Sequence, residues 1–145
     1  MEWGTTSART SMLVHAAVVG VVLAGCGGAG PSASVSGSVS VNGTPLTAGS
    51  VMFIPVEGTA GGIAGATVTN GAYAIVKGLR PGQYRVEIRQ PRPSERRVPK
   101  PFGAPGEMIE GTEEGVDEAF NEKSTLRASL DRGVNNVDFR VMHRP

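Results

Sequence analysis

The sequence predicts an all-β fold, a single antiparallel sandwich of about seven short strands. Three observations predict it. From Val35 onward apolar residues recur with period two, the spacing that lines one face of a strand. Turn signals of the Asn-Gly and Pro-Gly kind separate the runs. No long stretch after the N-terminal region carries a helical period. Sheets with one apolar face must cover one another, so two packed layers are the expected solution.

The strands follow in order. Val35, Gly37, Val39 and Val41 alternate with Ser36, Ser38 and Ser40, a strand with one polar face. Asn42-Gly43 turns it back through Thr44-Pro45-Leu46. Val51-Met52-Phe53-Ile54 is apolar on both faces, as in a buried central strand, and Pro55 ends it. Ala64–Thr69 is a weaker strand, and Asn70-Gly71 leads into Tyr73-Ala74-Ile75-Val76. Gly78-Leu79-Arg80-Pro81-Gly82 is a turn, with Pro pre-setting φ and Gly free to take positive φ. Tyr84, Val86 and Ile88 then point inward while Arg85, Glu87 and Arg89 point outward. Near the end, Leu126, Ala128 and Leu130 alternate, and Arg132-Gly133 turns into Val137, Phe139 and Val141. Tyr73 and Tyr84 are expected in the core, their hydroxyls bonded to turns.

A chain of 145 residues suits one domain, and a net charge of +1 gives no field for nucleic acid. The 14 residues from Met12 to Gly25 are mostly apolar. As a helix they would reach about 21 Å, short of the ~30 Å hydrocarbon core, so a signal-peptide apolar region fits better than a membrane span. The run ends in Leu23-Ala24-Gly25-Cys26, and Cys26 is the only cysteine. This resembles the bacterial lipobox. The resemblance implies cleavage before Cys26, a diacylglycerol thioether on its sulfur, and acylation, palmitate among the chains, on its new amine. Two or more acyl chains anchor stably where one is marginal. Residues 1–25 are then a lipoprotein signal peptide, 26–34 the lipidated Cys and a flexible Gly-rich tether, 35–141 the sandwich and 142–145 a tail. Gly27 follows the cysteine; an Asp there can favour inner-membrane retention in the lipoproteins it resembles, so Gly27 leans toward the outer membrane.

The motifs Val39-x-Val41-Asn42-Gly43-x-Pro45-Leu46, Val51-x-Phe53-x-Pro55, Asn70-Gly71-x-Tyr73 and Gly78-Leu79-x-Pro81-Gly82-x-Tyr84-x-Val86-x-Ile88 together carry a second resemblance. They resemble the carboxypeptidase regulatory-like family, whose fold is a prealbumin-like (transthyretin-like) sandwich with Ig-like Greek-key connections. With the lipobox ahead and Asn135-Asn136-Val137-Asp138-Phe139 in the last strand, the whole is similar to small lipoproteins abundant in planctomycetes. The resemblance implies a non-catalytic accessory domain, without the zinc peptidase of the proteins it accompanies.

Residues 90–123 interrupt the pattern before the last two strands. Their first part is spaced with proline and expected to be extended. Residues 77–100 hold eight Lys/Arg and two Glu, and residues 107–122 hold seven Asp/Glu and no Lys/Arg. Arg92, Arg96, Arg97 and Lys100 are candidate contacts for an anionic partner, such as lipid headgroups or a cell-wall polymer. The competing reading, which we favour, is that the basic and acidic stretches neutralise each other. Val116, Ala119 and Phe120 have the spacing of one docked helical turn, and the family resemblance implies that the segment packs along a sheet edge before Ser124 re-enters.

Catalytic signals are sparse. His15 leaves with the signal peptide, His143 sits three residues from the end, and Cys26 is consumed by lipid. No zinc-ligand cluster, phosphate loop or nucleophile elbow is present, and no cofactor is expected beyond the lipid modification. The expected function is a non-enzymatic, exported module, membrane-anchored in the periplasm or at the cell surface, that binds protein or polymer through an edge strand or serves structurally. The alternatives are a transthyretin-like small-molecule hydrolase and a carbohydrate- or polymer-binding accessory domain.

Overall fold

Asn42 and Gly43 both take positive φ, 49° and 82°, and Asn70 and Gly71 repeat the pair at 49° and 80°. These are the mirror-image turns whose twist suits a two-residue hairpin, and Asn and Gly are the residues that tolerate them. The first joins β1 (Ala33–Val41) to β2 (Thr44–Pro45), and the second joins β4 (Ala64–Thr69) to β5 (Ala72–Leu79). Around them lie β3 (Ala48–Pro55), β6 (Gly82–Arg89), β7 (Pro91–Pro99), β8 (Met108–Glu114), β9 (Arg127–Leu130), β10 (Gly133–Asn136) and β11 (Phe139–Val141). A computed structural model describes residues 30–145.

The chain forms the expected all-β sandwich. The main sheet runs β10-β1-β5-β4-β3-β6-β9, with β2 and β11 also on β1. Only the pair Thr69↔Ala72 links β5 to β4, so the sheet folds at that corner into two layers. Phe53 from β3 and Tyr84 from β6 meet Tyr73 from β5 and Phe139 from β11 between them. The ring centroids of Phe53 lie 6.2, 6.0 and 6.1 Å from those of Tyr73, Tyr84 and Phe139. Such tilted and edge-on pairs contribute about 0.5–1.5 kcal/mol each beyond the area they bury.

Both tyrosine hydroxyls are bonded to backbone, as expected. Tyr84 donates to Arg80 O at 2.9 Å and accepts from Arg80 N at 3.0 Å, a tyrosine corner that closes the turn before β6. Tyr73 donates to Val137 O at 2.7 Å. Burial, and then the Asp138 carboxylate, push its phenol above the ordinary range, so it remains a donor.

Four details depart from the sequence reading. First, β1 starts at Ala33, two residues inside the stretch assigned to the tether. Second, β10 and β11 run parallel to β1, pairing Ala33↔Gly133 and Val39↔Phe139, and β10 falls where only a turn was expected. Between them Val137-Asp138 crosses Gly37, where a Cβ would sit 1.9 Å from Val137 O. Asp138 then accepts from Ser38 N at 2.6 Å and Ser38 Oγ at 2.8 Å, which holds its carboxyl below the usual aspartate range. Third, Glu87 does not face solvent. It is buried on the outer side of β6 between Arg85 at 3.0 Å and Arg89 at 3.4 Å. Fourth, the 90–123 segment does not lie along a sheet edge throughout: β7 and β8 pair with each other as a second, two-stranded sheet.

After β8 the chain returns along the free part of β6. Ser124 Oγ donates to Val86 O, Leu126 O accepts from Val86 N at 3.1 Å, and Glu122 lies beside Arg89. The helical turn suggested by Val116, Ala119 and Phe120 is present as a 3₁₀ turn, Glu118–Phe120, with Asp117 accepting from Ala119 N at its start.

Candidate functional site: a hairpin arm and its clamp

Strand pairing separates the two ends of the sandwich. Ala33, Leu79, Gly82 and Leu130 share one end, which the segment from residue 30 enters. Val41, Ala48, Thr69 and Arg89 lie at the other. The β7-β8 hairpin leaves from Arg89, the end away from residue 30. Its strands pair with each other and with no strand of the sandwich. Most of its residues are exposed on both faces. It is an arm.

The segregated charges of the sequence fall on the two strands of this arm. Arg92 pairs across from Glu113 and Arg97 from Glu110, and Lys100 binds Glu107 at 2.5 Å. That half-exposed ion pair contributes about 0.2–1 kcal/mol to the register. The arm carries four cations and five carboxylates, so it is nearly neutral. Among the described residues Lys100–Glu107 is the one pair on the arm within ion-pair distance, so the neutralisation favoured from sequence is seen at that pair.

The four basic candidates do not converge. Arg97 Nη2 donates to Met108 O at 2.8 Å, Lys100 is ion-paired, and Arg96 is exposed in a bulge between Ser94 and Arg97. Arg92 turns back to the base of the arm. Leu23, Ala24, Gly25 and Cys26 lie outside the described residues.

The structure adds a tip and a clamp that the sequence reading missed. At the tip, Phe102 is fully exposed at φ 61°, with Met108 and Ile109 partly exposed beside it. The Pro101-Phe102-Gly103-Ala104-Pro105-Gly106 run, centred between the basic and acidic stretches, was the available signal. At the base, Arg92 Nη2 donates to Gly115 O at 2.8 Å and to His143 Nδ1 at 3.0 Å. Accepting that bond requires His143 to carry its proton on Nε2. Its Nδ1, 3.2 Å from Gly115 O, then makes no bond there. Asp117 N donates to Met142 O and Arg144 N to Gly115 O, both at 3.0 Å, so residues 142–144 are strapped across the arm's root. Glu114 Oε1 accepts from Gln90 N at 2.6 Å on the other side.

Gly115 is what lets this clamp close. A Cβ there would lie 2.1 Å from Arg92 Nε and 2.7 Å from Gln90 Oε1. Those two atoms are buried without hydrogen-bond partners. A small polar cleft of about 220 Å³ opens beside the clamp, lined by Arg92, Glu113, Glu114, Arg144 and Pro145. Among the described residues no group of three or more His, Cys, Asp or Glu could hold a metal ion. His143, among the described residues, has Arg92 as its side-chain partner and no hydroxyl or thiol bonded to it.

No family model, curated protein or solved structure matches the chain.

Proposed function

We propose that this chain is an exported, non-catalytic lipoprotein of the cell envelope, of carboxypeptidase regulatory-like type, that presents the β7-β8 arm to a protein partner. The observation that carries the reading is Leu23-Ala24-Gly25-Cys26 at the end of an apolar run. The arm supports it from the other side, because it leaves the sandwich at the end away from residue 30 and ends in an exposed Phe102. An aromatic side chain held clear of its own domain offers a partner a large rigid contact at low entropic cost. His143 serves in this reading as a structural acceptor for Arg92.

Two measurements test it. Cys26→Ser should abolish radiolabelled-palmitate incorporation and move the protein to the soluble fraction. Continued labelling and pelleting would refute the anchor. A photo-crosslinking amino acid at residue 102 should give one discrete adduct in intact cells, and no adduct from residue 67 on the flank of β4. A ladder of adducts of equal intensity from both positions would refute a dedicated arm.

A further inference from the structure

The large apolar side chains left exposed among the described residues gather at the two ends of the molecule. Phe102, Met108 and Ile109 are on the arm, and Met142 is beside its clamp. Ile63, Val76 and Val134 are 64, 74 and 88 % exposed, and all three are at the opposite end.

Strand register puts them there. Val134 pairs with Ser34 at the start of β1. Between Ala33 and Val35 the register with β5 slips, since Ala33 faces Leu79 while Val35 faces Ile75. Val76, Lys77 and Gly78 therefore bulge opposite Ser34; Val76 continues the outward phase of Ala72 and Ala74, and the bulge brings Lys77 into solvent beside it. Ile63 precedes β4, next to Gly61, whose Cβ would touch the Arg80 side chain at 3.2 Å. Arg80 Nη1 in turn donates to Pro31 O at 3.0 Å, which clips the incoming chain to this end. Gly30, Val76, Lys77 and Arg80 rim a shallow hollow of about 450 Å³. The charges here are Lys77, Arg80 and Arg132 against Glu57 and Asp131.

We propose that this end is the membrane-facing surface of the domain. It lies on the phospholipid bilayer that holds the anchor, with Ile63, Val76 and Val134 at the headgroup–acyl boundary and Lys77, Arg80 and Arg132 among the phosphates. The inference rests on lipidation of Cys26. From Cys26 to the clipped Pro31 is five residues, at most about 18 Å when fully extended. β1 alone has nine residues. At 3.2–3.4 Å each they measure about 30 Å. The leash is too short to bring the arm end to the bilayer while this end points away. Exposed β-branched side chains cost nothing in such a place, and β-bulges are a usual means of re-aiming side chains at a working edge.

The test uses the full lipidated chain in vesicles of phosphatidylcholine and phosphatidylglycerol. A cysteine carrying an environment-sensitive fluorophore replaces Val134 in one protein and Phe102 in another. Lipids bearing a nitroxide near the headgroup should quench the label at 134 at least threefold more strongly than the label at 102. Adding Val76→Ser with Lys77→Glu should reduce that difference by half or more. Equal quenching at the two positions would overturn the orientation, since the domain would then lie on its side. A label at 134 that is shielded but unquenched, increasingly so at higher protein density, would overturn it in favour of a second copy covering this end. Failure of the unlabelled chain to float with the vesicles would instead overturn the anchor itself.

Discussion

The clamp at the root of the arm yields a prediction whose size can be worked out. In Gly115→Ala the new methyl would sit 2.1 Å from Arg92 Nε, so the guanidinium must leave. With it go the bonds from Nη2 to Gly115 O and His143 Nδ1. Hydrogen bonds from a charged donor are worth about 1.5–3 kcal/mol each, but the orphaned Nε already offsets one of them. We take the lower figure for the pair, about 1.5 kcal/mol, which is roughly a tenfold rise in local opening. The reporters are the amides of Gly115, Asp117 and Arg144, whose acceptors are Gln90 O, Met142 O and Gly115 O. Hydrogen exchange read residue by residue should show about tenfold faster exchange at these three amides, with the amides of β3 and β6 unchanged. Arg92→Ala should give the same pattern without the steric intrusion. Because both variants remove the same bonds, the double variant should open no further than either single one. Additive effects, or faster exchange spread evenly over β3 and β6, would refute the clamp as a local device.

Three further outcomes follow from other contacts. Tyr84→Phe strands Arg80 N and O at the corner, costing about 1–3 kcal/mol, and should lower the melting temperature by about 4 °C per kcal/mol in a calorimetric scan. Asp138 is held below its ordinary value of 3.8 chiefly by Ser38 Oγ and then Ser38 N. A depressed carboxyl contributes stability above its unfolded pKa that is lost as pH falls through the folded one. Urea midpoints of the parent should therefore exceed those of Asp138→Asn at pH 7, and the gap should close below about pH 4. Phe102→Ser removes a side chain that touches little of its own domain; its unfolding free energy in a urea titration should stay within about 0.5 kcal/mol of the parent, while an adduct formed from a crosslinker moved to residue 104 should be lost.

Local chemistry made much of the sandwich legible. Asn42-Gly43 and Asn70-Gly71 could take positive φ with little strain, and the alternation marked Tyr84, Val86 and Ile88 as the core-facing side of β6, though not that Glu87 is buried on the other. The balanced charge of residues 92–113 was also legible, because like charges were grouped on either side of a Pro-Gly run. That the two stretches lie antiparallel as strands was not. Proline-spaced sequence is compatible with an isolated extended chain, and only pairing with 108–114 makes it a strand.

The clamp was beyond the sequence for a different reason. Arg92, Gly115 and His143 are far apart in the chain, and nothing in their neighbours' spacing links them. They meet because β11 pairs in parallel with β1 and so carries residues 142–144 to the root of the arm. The same pairing makes Gly37 a crossing point and places Val134 beside Ser34. By itself the sequence determined which residues face inward and where the chain turns, because those depend on neighbours one to four positions away. Which end holds the exposed apolar side chains, and which polar groups converge, depends on strand order and direction. Those are set by how the two layers cover each other, so only the tertiary structure decided them.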